Sequence, residues 1–194
     1  MSYFVRITGE VMPGREYDKV LDTAADQHGY ITTEQARTLG IQADTIRKMA
    51  ARGALERVSW GVYRVPTFPQ SPFAQYMEAC LWPAGAMGVI SHESALAIRE
   101  LSDVNPSKVH LTVPKHFRVR REIPRHLVVH NAKLADEELA SVEGVPTTTV
   151  RRAIEDCHRQ HLGPALLRQA IEEGQRQGYL RADDAQKLRE LVLG

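Results

Sequence analysis

Between residues 29 and 66 the chain is punctuated so closely by glycine and proline that only short elements fit. Gly29, Gly40, Gly53 and Gly61 divide the stretch, and Pro66 closes it. Before Gly29, residues 16–27 place Tyr17, Val20, Leu21, Ala24 and Ala25 at i, i+3, i+4, i+7 and i+8, the period of an amphipathic helix. After Gly29, Thr32 or Thr33 is a helix cap, and Gln35 lies three positions beyond Thr32 in capping-box spacing. A short helix over about 33–39 then stops at Gly40. Asp44 or a neighbour caps the next helix, which turns Ile46, Met49 and Ala50 inward and ends at Gly53. Two short helices joined at a glycine turn are the helix-turn-helix arrangement. Residues 55–59 and 62–65, partly β-branched and joined around Trp60-Gly61, then predict a hairpin. A hairpin directly after a recognition helix is a wing. Pro66, Pro69 and Pro72 predict a hinge behind it.

The second helix of such a unit enters the major groove of DNA, with its N-terminal residues nearest the base edges. Ile46 and Met49 are needed for the core, so Gln42, Thr45, Arg47 and Lys48 are the expected exposed positions. Gln42 and Thr45 can hydrogen-bond base edges, and Arg47 can fork onto guanine. Lys48 and Arg52 suit phosphates, while Arg57 and Arg64 on the wing strands reach flanking phosphates or the minor groove. From Asp44 to Pro66 there are five basic residues against two acidic ones, so the net charge of +1 hides a local basic face. Trp60 has two readings: packed beneath the hairpin, or exposed near DNA. The same pattern would also serve a winged helix used only to bind protein.

Beyond Pro69 the reading is coarser. Residues 71–81 predict a helix broken at Trp82-Pro83, and Ser91 caps a second helix through Leu101 that buries Ala95, Leu96 and Ile98. Residues 109–113 alternate as a strand that stops at Pro114, with His110 and Thr112 opposite Val109, Leu111 and Val113. Residues 126–129 predict another strand, 117–119 an edge strand between them, and 142–145 a short one. Helices follow from Pro146 or Thr147 to His158, from Pro164 to Gln177, and from Ala182 to Leu191, the last with Asp183 and Asp184 in its first turn. From Asn105 to Lys133 there are seven basic residues and one acidic, with four histidines besides. Lys115, Arg118, Arg120, Arg121 and Arg125 are the candidate phosphate contacts in this block if they share a face. The block extends a DNA footprint, docks an acidic partner, or pairs with the acidic tail, which carries eleven acidic and eight basic side chains from Leu134 onward.

The string GYITTEQARTLGIQADTIRKMAARGALERVSWGVYRVP resembles the N-terminal domain of the AbiEi antitoxin family, transcriptional regulators of type IV toxin–antitoxin systems. Ile31-Thr32-Thr33, Ala36, Gly40-Ile41, Ile46, Gly53, Leu55, Gly61-Val62-Tyr63 and Pro66 carry the resemblance, which continues through SHESALAIREL, VHLTVPK and VEGVPTTTVRRAIED. It implies an α+β chain: a winged helix-turn-helix over 13–69, then a mixed α/β antitoxin-type domain over 70–194 with a helical C-terminal end. It also implies operator DNA as partner, repression of the chain's own operon, and antagonism of a nucleotidyltransferase-type toxin that need not be bound stably. Two-fold operators suit either a dimer or cooperative monomers. Some similar sequences continue into a nuclease-like domain, but no acidic E-x-K arrangement of that kind is present.

Other chemistries find little support. The histidines form no compact metal motif, and His92-Glu93 lacks a second histidine at helical spacing, so neither metal nor cofactor is expected. Cys80 and Cys157 lie far apart without zinc-site spacing; reduced buried thiols are expected, with one long-range disulfide the alternative. No glycine-serine-glycine nucleophile elbow surrounds Ser91 or Ser94, and Gly85–Gly88 lacks the lysine of a phosphate loop. Hydrolase or nuclease activity is therefore disfavoured and a non-enzymatic role expected. The N-terminal residues lack a signal peptide's apolar run, and no stretch approaches a bilayer span, so a cytoplasmic protein without membrane partners is expected.

Overall fold

The computed structural model describes residues 14–118 and 121–193. The chain is α+β. Helix α1 (Arg15–Ala25) leads into strand β1 (Tyr30–Thr32), helices α2 (Thr33–Thr38) and α3 (Ala43–Ala51), and the hairpin β2 (Glu56–Ser59) and β3 (Val62–Arg64). β1 and β2 flank β3, both antiparallel to it. The expected capping box is present: Thr32 Oγ1 accepts from the Gln35 amide, and the Gln35 side chain accepts from the Thr32 amide at 2.9 Å. Ile31, Ile41, Ile46 and Leu55 are fully buried in the core these elements enclose, each contributing roughly 1.5–3 kcal/mol by leaving water. Two details differ from expectation. Ala25 is exposed because the helix ends there. Asp44 lies inside the first turn of α3, whose cap position is Gln42.

Helix α4 (Ala74–Leu81), strand β4 (Val89–Ile90) and helix α5 (His92–Ala97) follow, then β5 (Val109–Pro114) and β6 (Leu127–Ala132). β7 (Leu139–Val142) and β8 (Val145–Thr148) complete a mixed sheet in the order β6-β5-β4-β8-β7, before helices α6 (Val150–Arg159), α7 (Pro164–Arg176) and α8 (Ala182–Leu193). The expected strand over 142–145 is instead a turn. Glu143 and Gly144 take φ of 47° and 80°, the two-residue geometry that joins twisted antiparallel strands. Helix α6 accordingly starts later than Pro146 or Thr147, at a cap where Thr149 accepts from the Arg152 amide; Thr147 and Thr148 are buried strand residues. Helix α5 stops four residues short of Leu101. Phe117 and Arg118 are irregular rather than an edge strand, and Val119 lies outside the described residues. Cys80 and Cys157 are both free and buried, and burial raises both thiols well above their ordinary range. No helix among the described residues is long and apolar enough to cross a membrane.

The proline-bearing stretch expected to be a hinge joins parts that share a core. Tyr30 on β1 and Val62 on β3 belong to the larger core, with Met77, Cys80 and Leu81 of α4, while Ile31 and Tyr63 beside them face the smaller one. The three-stranded sheet is thus apolar on both faces. Further ties cross the same joint. Tyr30 Oη donates to Glu78 at 3.3 Å, and the His28 ring bonds the Glu143 carbonyl at 2.7 Å.

Gly29 has φ of +90°, and a Cβ there would lie 2.8 Å from the Phe68 Cβ; Gly40 has φ of +80° with open space around it. Gly40→Ala should therefore cost about 1–2 kcal/mol from backbone strain alone, and Gly29→Ala distinctly more, in urea unfolding monitored by circular dichroism. Equal losses would show that Phe68 yields freely. Burial, then the Glu78 charge, raises Tyr30 from 10.0 to about 12. The unfolded chain releases this proton first, so the associated stability is complete below pH 10 and is lost as pH rises toward 12. Melting temperatures should fall more steeply across that window in the wild type than in Tyr30→Phe.

Candidate nucleic-acid interface

Helix α3 buries Ile46 and half-buries Met49 and Ala50, which fixes the opposite face outward. Gln42 is exposed at the start of the helix and makes no capping bond with its side chain; Thr45 is half-buried one turn on. Arg47 and Lys48 are each 67 % exposed. Asp44, on the same face, holds Lys48 Nζ at 2.8 Å and lies 4.0 Å from Arg47. The hydrogen bond and charge of Lys48 keep the Asp44 carboxyl below its ordinary range. Exposed pairs of this kind exchange readily with solvent ions, so both cations remain available to a competing anion. Arg52, exposed at the end of α3, continues the basic edge.

Arg47 and Arg57 line one groove of about 800 Å³, which also takes in Arg37 of α2, Trp60 and Gly61 of the hairpin turn, and residues 84–87. Trp60 is 71 % exposed, which overturns the reading that packs it beneath the hairpin. Its ring is covered instead by the Arg57 guanidinium, 5.0 Å from the ring centre. The surface is therefore concave between α3 and the hairpin, not uniformly convex. Arg64 is turned aside, half-buried, donating to the Phe68 carbonyl at 2.8 Å. Arg37 is not among the residues the sequence pattern singles out, which on this unit lie on the second helix and the hairpin. Its place on the first helix, the one that crosses the DNA backbone in such units, was the available signal.

The second basic block does not share one face. β5 and β6 run parallel, Val109 opposite Leu127 and Pro114 opposite Ala132. Exposed Lys115 and Arg118 therefore follow one end of the strand pair, while Lys108 and Arg125 precede the other, roughly 20 Å away at strand rise. Between them the crossover carries Arg121 onto the Trp82 ring, 4.7 Å from its centre, and its Nη1 donates to the Trp60 carbonyl at 3.1 Å. The crossover thus braces the hairpin turn. Arg120 lies outside the described residues. Among the described residues no ion pair joins this block to the acidic tail, whose carboxylates Glu155, Asp156, Glu173 and Asp184 pair with Arg151, Arg152, Arg159 and Arg176.

His110 and His130 leave the basic block altogether. They lie on adjacent strands and meet His92 from the start of α5. A ligand nitrogen from each of the three falls within 4.8 Å of the others, the arrangement that could hold a metal ion. Motif spacing could not reveal it, because no two of these histidines belong to the same element.

No curated protein matches the chain. Residues 18–66 match a protein family described as "Transcriptional regulator, AbiEi antitoxin". The matched segment runs from within α1 through the hairpin to Pro66 and contains Arg37, Arg47, Lys48, Arg57 and Trp60. An AbiEi antitoxin-family domain thus occupies residues 18–66 of this α+β chain.

Proposed function

We propose that residues 13–69 are a winged helix-turn-helix that binds operator DNA, and that residues 70–194 form the regulatory part of a non-enzymatic transcriptional repressor. The observation that carries this reading is the convergence on one groove of exposed Arg47, on α3, with Arg57 and Trp60, at the hairpin, all three residues of the family-matched segment. In it, α3 lies in the major groove. Gln42 and Thr45, at its N-terminal end, face base edges; Arg47 reaches guanine or phosphate. Lys48 and Arg52 take phosphates along the helix flank, and the Arg57–Trp60 pair rests on the neighbouring sugar-phosphate strand. A phosphate replaces Asp44 at Lys48, which is cheap because both side chains are already in water.

The bond from Arg121 to the Trp60 carbonyl sets the crossover beside the wing, so Arg118 and Lys115 extend the footprint there. Arg125, at the opposite strand end, is assigned no contact. Arg64 orders the chain after β3 through Phe68 rather than reaching DNA. In the finer role we infer, the chain is an antitoxin that represses its own operon in the cytoplasm and counteracts a nucleotidyltransferase-type toxin; the family description, a transcriptional regulator and antitoxin, supports the regulatory and antitoxin parts of that role.

Two results check the assignment. A footprint upstream of the protein's own gene supplies the operator, and fluorescence anisotropy on that duplex at several salt concentrations then compares variants. Arg47→Ala with Lys48→Ala should weaken binding at least about tenfold and flatten the log affinity–log salt slope by about one to two, since each lost phosphate contact releases roughly one counterion fewer. The melting temperature should hold, because both side chains are exposed. Unchanged affinity in the double variant would end the DNA reading. Asp44→Asn removes the competing carboxylate and should tighten binding a few-fold across operator and non-specific duplexes alike, with the gain shrinking as salt rises.

A further inference from the structure

Three histidines distant in sequence meet over one face of the five-stranded sheet. In the parallel register of β5 and β6, His110 lies opposite Val128 and Thr112 opposite His130, so the two histidines are diagonal neighbours on the same face. His130 Nε2 and His110 Nδ1 are 3.2 Å apart. Two nitrogens bound to one tetrahedral ion at about 2.0–2.1 Å would be separated by about 3.3 Å. The third ring, His92, is buried against them, stacked on His130 with centroids 3.8 Å apart. His92 has φ of 53°, a left-handed conformation uncommon for a residue with a side chain.

The surroundings suit ligation. Ser91 Oγ lies 2.9 Å from His92 Nδ1 and also accepts from Thr112 Oγ1 at 2.8 Å; the tautomer in which Nδ1 donates to Ser91 leaves the Nε2 lone pair free for a ligand. The Gln160 amide approaches His130 Nδ1 at 3.5 Å, leaving Nε2 toward the cluster. Burial lowers the basicity of all three rings, His92 to about 3, so the imidazoles are in the neutral form that binds metals. Nearby Arg152 and Arg159 are paired with Asp156, and Arg152 also with Glu138, while Glu93 adds negative charge close to His110.

We propose that His92, His110 and His130 bind a divalent transition-metal ion, Zn²⁺ foremost, with one coordination position left to water. Imidazole donors favour zinc and its first-row neighbours over calcium or magnesium. Three protein nitrogens with an open fourth position are the zinc arrangement that retains a water ligand. Binding turns the His92 ring about its Cβ–Cγ bond out of its stack on His130, a torsion with broad wells. The ion would tie the start of α5 to the edge strand β6. The inference does not depend on the DNA reading.

The test uses the full chain without an affinity tag, stripped with chelator and titrated with Co²⁺, then with Zn²⁺ as competitor. One equivalent of Co²⁺ should give the visible d–d absorption of a four-coordinate nitrogen site, and one equivalent of Zn²⁺ should abolish it. His110→Ala and His130→Gln should each raise the dissociation constant by at least about tenfold, and Ser91→Ala by about 10–100-fold. Substituting exposed His126 or His161 should change nothing. Because a ligand variant can unfold, nitrogen-15 spectra of the wild-type histidines provide a second reading: Zn²⁺ should shift three of them together. Absence of a one-equivalent Co²⁺ spectrum, binding that survives loss of His110 and His130, or histidine resonances unmoved by Zn²⁺ would each overturn the site and leave a hydrogen-bonded histidine cluster.

Discussion

Burial of the small antiparallel sheet on both faces holds this molecule together. Strand alternation sends Ile31 and Tyr63 toward α1, α2 and α3, and sends Tyr30 and Val62 toward α4 and the larger core. A three-stranded sheet with one wet face would have left the N-terminal elements tethered by a proline-bearing segment. With both faces covered, moving them apart would expose Tyr30 and Val62 and strip the phenol of Glu78. The orientation of α3 and the hairpin is therefore set partly by residues from the far side of the chain.

That coupling bears on the proposed interface. The hairpin turn projects Trp60 into solvent, yet it is steadied by two arginines. Arg57 covers the indole, and Arg121 holds the backbone carbonyl while resting on Trp82. Trp82 is buried in the larger core, so the hairpin is braced by the part of the chain that carries the five-stranded sheet. A conformational change in that sheet would have a physical route to the groove proposed to face DNA: through the crossover between β5 and β6 to the turn at Trp60. The three-histidine cluster touches the same two strands.

The legible parts of the sequence were those governed by near neighbours. Thr32 and Gln35 announce a capping box because both bonds close within four residues. Trp60-Gly61 announces a hairpin, and Ile46 sets the inward face of α3, which in turn places Arg47 and Lys48 outside. Less legible was the turn at Glu143-Gly144, since glutamate is an uncommon residue for a positive φ and only the glycine marked it. Helix α6 likewise begins later than Pro146 or Thr147, because Thr147 and Thr148 are buried strand residues paired in the sheet.

Composition and spacing thus determined the short helices, their caps, the hairpin and the basic character of α3, because each rests on contacts within a few residues. Tertiary structure alone decided the rest. Parallel pairing of β5 and β6 split a continuous basic run between opposite ends of the sheet and turned His110 and His130 inward to meet His92. Which residues share a face, and which charges share a surface, depends on strand direction and register, and those are chosen by burial across the whole chain.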